Sequence, residues 1–255
     1  MKLPNFIIFF LIGLIFPTIL LAQPIQQRVP DPNTGDLSSL RWGTMDGNRI
    51  ATLFKNWGEI AHYHIPPAAE WPKGTGHQYS DGVALIISVA TYDTSGKRIH
   101  PMETQYREFV DLNPANPGEL WGFAPLPGYF SEGSDSPAMS DDPSTWPRQW
   151  PDKPHSWDGY WNGWFGKRPQ AELETYFVFD DDLDEEWGFF PDPDNPSRRG
   201  IGLEVAARYF QWAQVLARDA IFALYFVTNE GKTDYDSAYF SFYTDWGLGN
   251  ISADD

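Results

Sequence analysis

Six carboxylates crowd into seven residues at Asp180-Asp181-Asp182-Leu183-Asp184-Glu185-Glu186. Asp180, Asp182 and Asp184 recur at alternate positions and Glu186 continues the series. That spacing lets a loop wrap oxygen ligands around a hard cation, and Ca2+ is the candidate cofactor. Like charges at this density repel one another unless a counter-ion relieves them. The twelve-residue calcium loop is incomplete, however. Glu185 stands where the sharp turn calls for Gly, and Pro191 where the bidentate Glu belongs. A solvated acidic loop at a strand end is the competing reading.

A second set is aromatic. Trp157, Trp161 and Trp164 follow one another closely, with Asp158, Tyr160 and Asn162 between them. Exposed indoles stack on sugar rings, and Asp158 and Asn162 would hydrogen-bond the hydroxyls. In the plainer reading, Trp and Pro pack together to hold a loop that lacks regular hydrogen bonding. Glu172 and Glu174 would project from one strand face about 7 Å apart, within the carboxylate separation of an inverting glycosidase. Any strand with two outward acids shares that geometry. His62 and His64 could ligate a metal, but no third ligand is marked. No nucleophile elbow, P-loop, H-E-x-x-H or dinucleotide fingerprint occurs, and Gly200-Ile201-Gly202 is only a fragment of the last. No catalytic residue is assigned.

The elements that must position these groups read as strands. Apolar alternation and β-branched or aromatic runs mark residues 48–56, 83–92, 105–110, 172–180, 203–212, 220–229 and 237–246. Thr94-Ser95-Gly96-Lys97 and Asn229-Glu230-Gly231-Lys232 read as turns. Residues 111–170 differ in character. They hold 10 of the 22 prolines and 6 of the 12 tryptophans, with little apolar periodicity. Loops of this length are uncommon inside compact domains and are often functional. No βαβ alternation is present, so the expected fold is all-β, an antiparallel β-sandwich with a long Trp/Pro-rich loop excursion. The last strand run is followed by only nine residues. It is therefore expected at a sheet edge, in a domain truncated at its C-terminus from a larger architecture.

Composition bounds the role. Lys2, the apolar run 6–21 and the small residue Ala22 describe a secretory signal, residues 1–22, cleaved after Ala22. An uncleaved anchor is the alternative, and no later run is long enough to span a bilayer. Residues 23–40 form an extended lead-in and residues 41–255 the sandwich domain, with 111–170 inserted. Cysteine is absent, which rules out disulfides and thiolate metal sites. With 18 basic and 35 acidic residues the formal charge is −17. Such a surface repels nucleic acid and anionic lipid and suits cations, glycans or proteins.

Several segments form a series: Asn56-Trp57-Gly58, Trp71-Pro72-Lys73-Gly74-Thr75-Gly76, Ser136-Pro137-Ala138-Met139-Ser140-Asp141-Asp142-Pro143, Trp161-Asn162-Gly163-Trp164-Phe165-Gly166, Tyr225-Phe226-Val227-Thr228-Asn229, and residues 239–249. Together they resemble the N-terminal region of large uncharacterised secreted proteins of Bacteroidetes-type bacteria. Those proteins often carry fibronectin type III modules and a type IX secretion sorting domain, neither of which occurs in this sequence. The resemblance covers most of residues 40–250 and brings no active site with it. The expected function is a secreted or cell-surface structural or adhesive module without enzymatic activity, with a glycan or protein partner. The alternative is a carbohydrate-binding or carbohydrate-active protein using the Trp-rich loop and its acidic groups.

Overall fold

Residues 34–104, 106–107 and 111–249 are described by the computed structural model. The expected signal segment 1–22 and the lead-in up to residue 33 lie outside them. The elements are β1 (Trp42–Met45), β2 (Thr52–Lys55), β3 (Gln78–Val89), β4 (Thr91–Tyr92), β5 (Arg98–Ile99), β6 (Met102–Thr104), β7 (Ala124–Pro125), β8 (Leu173–Asp180), β9 (Leu203–Gln211), β10 (Phe222–Asn229) and β11 (Ala238–Gly249). Helix is limited, among the described residues, to three short 3-10 turns. The strand expected over residues 105–110 is found earlier, at β6. Residues 105 and 108–110 lie outside the described set.

Two antiparallel sheets carry the domain. One runs β10-β9-β8-β7 and the other β11-β3-β6. The β1–β2 pair joins the second sheet through Ile60, which bridges Phe54 of β2 to Val83 of β3. Inner-face side chains from both sheets meet in one core. Met45, Phe54, Leu85, Ile87 and Val89 pack against Phe177, Phe179, Leu203, Val205, Ala207 and Tyr209. Phe177 stands 5.3 Å from Tyr209 in an edge contact and 6.1 Å from Phe54 in a stacked one. Each such ring contributes about 1.5–3 kcal/mol on burial. The fold is therefore an all-β antiparallel sandwich.

Strand β8 shows why residues 111–170 are ordered. All eight of its residues are buried, which an ordinary sandwich strand with one wet face would not show. Leu173, Phe177 and Phe179 face the inter-sheet core. Tyr176 and Val178 face the other way, and the excursion covers them with Leu126, Tyr129, Ala138, Trp150 and Trp161. Its backbone is also tied to β8. Leu126 N–H donates to the Val178 carbonyl at 2.8 Å and Ser140 N–H to the Glu174 carbonyl at 2.9 Å, while the Thr175 hydroxyl donates to the Ala138 carbonyl at 2.9 Å. The excursion is a third layer that also covers this edge of β8.

The opposite side of the sandwich is open. β10 ends one sheet, and among the described residues β11 pairs only with β3. Phe242 of β11 reaches Tyr225 of β10 at 5.8 Å between ring centres. Yet Phe222, Phe226, Tyr239, Phe240, Phe242, Tyr243 and Trp246 all remain substantially exposed.

Candidate functional site

The acidic run begins at the last residue of β8 and turns through a tight loop. Its carboxylates do not share one centre. Asp180 is buried and accepts from Gly35 N–H at 3.0 Å and from Asp182 N–H at 3.3 Å. The fit leaves no room at Gly35, where a Cβ would stand 2.6 Å from Asp180 Oδ1. Asp181, fully buried, accepts from Ile201 N–H at 2.7 Å and Leu203 N–H at 2.8 Å. Gly200 makes that wrapping possible: its φ is +57°, and a Cβ there would lie 2.5 Å from Asp181 Cγ. Asp182 turns to the Thr34 hydroxyl at 3.5 Å and to Arg198 at 3.8 Å. Burial first, and neighbouring carboxylates after it, push the Asp180 and Asp181 acids well above the usual range.

Of the expected metal set, Asp184 and Glu186 are close enough for the Asp184 charge to act on Glu186. Asp184 is buried, Glu186 is exposed, and the Asp184 carboxylate accepts from Glu186 N–H at 2.7 Å. Two acids from elsewhere in the chain join them. Glu103 of β6 sits opposite Ile87 of β3, on its core-facing side. It is fully buried, and neither carboxylate oxygen meets a hydrogen-bond donor. Burial raises its pKa well above the ordinary value, and so does the Asp184 carboxylate, which is near enough to share a proton with it. Asp111 is pushed up to about 6 by burial and by Asp184. Glu186 is raised by burial and then by Asp184 and Asp111. In the present side-chain positions no three Asp, Glu or His groups are gathered as metal ligands among the described residues. Glu103 and Asp111 carry no local motif, and only the pairing of β6 with β3 brings Glu103 under the acidic loop.

The Trp set is divided between burial and surface. Trp161 and Asn162 are buried and have no face to offer a sugar. Trp161 Nε1 donates to Glu174 Oε2 at 2.7 Å. Asn162 donates to Asp152 at 2.9 Å and accepts from Arg208 at 3.0 Å. Trp164 stacks on Phe226 of β10, with 4.9 Å between centres and 20° between planes. Trp157 is half-buried between the ammonium groups of Lys153, at 5.0 Å, and Lys167, at 5.8 Å. Asp158 is exposed and lies 3.3 Å from His155. Beneath them Arg208 lies 3.8 Å over the Tyr176 ring, whose hydroxyl donates to Asp152 at 3.0 Å. Glu174 is buried while Glu172 is exposed and accepts from Ala213 N–H at 2.9 Å, so the two acids do not form a facing pair.

A separate buried ion cluster joins Lys55, Glu59, Arg107 and Asp81. Glu59 accepts Lys55 Nζ at 2.7 Å on one oxygen and Arg107 at 2.8 Å on the other. Lys55, Glu59 and Arg107 are all buried, and Lys55 also lies 4.9 Å over the Trp57 ring. With every charge paired, this cluster holds structure rather than awaiting a substrate. His62 and His64 meet ring to ring at 6.4 Å.

No described helix is long and apolar enough to cross a membrane. No protein-family model, curated protein or solved structure matches the chain.

Proposed function

We propose that this chain is an exported structural or adhesive module of the cell surface that works without catalysis, through its open β10–β11 side. One observation carries the reading: β11 presents Tyr239, Phe240, Phe242 and Trp246, each more than half exposed, on a strand with a single partner among the described residues. An aromatic edge of this kind can take up an extended segment of another protein by strand addition. The strongly acidic chain favours a partner segment that carries basic residues between apolar ones. Export rests on the N-terminal segment and on the resemblance to large secreted bacterial proteins.

The test measures retention of the purified chain by intact cells of the producing organism. Phe240→Lys with Trp246→Lys should abolish retention and leave the melting temperature unchanged. Equal retention of that variant would overturn the reading. Protease treatment of the cells should also abolish binding, and glycosidase treatment should not. The reverse pattern would favour a glycan partner. The glycan alternative rests on Tyr160, Phe165 and Asp158, which stay exposed in the Trp-rich layer.

A further inference from the structure

The geometry points to a binding site for a hard divalent cation of the Ca2+ type formed by Glu103, Asp111, Asp184 and Glu186. It is independent of the proposed adhesive role. Glu103 carries the argument. Its carboxylate is fully buried, neither oxygen has a donor, and it is aimed at Asp184. A buried carboxylate without a donor or a counter-charge is strongly disfavoured, so Glu103 is neutralised either by a proton shared with Asp184 or by a bound cation.

The protein's own cations do not do so. Among the described residues no ion pair reaches Glu103, Asp111, Asp184 or Glu186. The nearby basic side chains are engaged elsewhere: Arg198 with Glu230 at 3.1 Å and Asp182 at 3.8 Å, Arg199 with Glu185 at 3.7 Å, and Lys232 with Asp192 and Asp194 at 3.1 and 2.8 Å. Asp180 and Asp181 are likewise held by backbone N–H groups. That leaves buried Glu103 and Asp184, half-buried Asp111 and exposed Glu186, whose charges act on one another. Binding calls for the Asp111 and Glu186 side chains to turn onto the entering ion. All donors are oxygens, with no His or Cys, which selects a hard cation over zinc or copper. Four carboxylates with bound water satisfy the six to eight oxygens Ca2+ takes, at about 2.3–2.6 Å.

Terbium titration of the chelator-treated full chain tests this directly. Trp121, whose backbone N–H donates to the Asp111 carbonyl at 2.9 Å, and Trp187, next to Glu186, are placed to sensitise its emission. Wild type should show sensitised emission displaced by Ca2+ and poorly by Mg2+, and its melting temperature should rise with Ca2+. Glu103→Gln should weaken terbium binding by at least about tenfold, raise the melting temperature of the metal-free protein, and remove the Ca2+-dependent rise. Asp182→Asn should keep the rise. Absence of sensitised emission in wild type, or an undiminished Ca2+ response in Glu103→Gln, would overturn the site. Should Glu103→Gln fail to fold, Asp184→Asn serves in its place, and an undiminished response in that variant has the same meaning.

Discussion

Trp161 and Glu174 form the tie between the Trp-rich layer and the sandwich: the indole N–H donates to the carboxylate at 2.7 Å, with both side chains buried. Glu174 Oε1 simultaneously accepts the backbone N–H groups of Gln170 and Ala171. One carboxylate therefore closes the excursion onto the strand that follows it. Trp161→Ala should cost about 3–5 kcal/mol, read as a lowered urea midpoint. Limited proteolysis should then cut within residues 146–164, which wild type should resist. Rapid cutting of the wild-type layer in otherwise folded protein would show that it is not docked.

Glu59 balances two buried cations, Lys55 and Arg107. Glu59→Ala takes away the buried carboxylate that both cations share, Arg107 keeping Asp81, and should destabilise by about 3–5 kcal/mol. Equilibrium denaturation checks this, and a change below about 1 kcal/mol would mean that water reaches the cluster.

Asp81 links that cluster to pH. Burial raises its pKa, but the Arg107 guanidinium and the Tyr63 N–H outweigh burial and hold it below the ordinary 3.8. A depressed acid contributes stability that is present above its unfolded pKa and lost as pH falls through its folded value. Melting temperature should thus fall below about pH 4, and Asp81→Asn should flatten that part of the profile. An identical acid limb in the variant would remove Asp81 from the cause.

Two aromatic classes should separate in stability. Phe177→Ala removes a ring buried between both sheets and should cost about 3–5 kcal/mol. Phe242→Ser removes one that is 53% exposed and should cost much less, about 1 kcal/mol. A loss at Phe242 equal to that at Phe177 would mean that the β11 side is covered in solution.

Local pattern was enough for much of the fold. The alternation around residues 172–180 becomes β8, and the aromatic runs near 203–212, 220–229 and 237–246 become β9, β10 and β11. The turn at residues 94–97 closes the β4–β5 hairpin, with Asp93 accepting from Ser95 and Lys97 N–H. These elements follow from side-chain period and turn chemistry, which act within a few residues.

The sites were less legible. Alternate spacing makes Asp180, Asp182, Asp184 and Glu186 look like one ligand set, because spacing along a chain ignores what packs against it. Tertiary packing turns Asp180 to Gly35, wraps Asp181 with the loop at Gly200, and brings Glu103 to Asp184 across 81 residues of sequence. It also takes Trp161 and Asn162 from a possible sugar platform into the interior. Composition alone determined an acidic, cysteine-free, strand-rich chain. Which of its acids and indoles meet water was decided by strand pairing and by the excursion folding onto β8, since burial depends on contacts between segments distant in sequence.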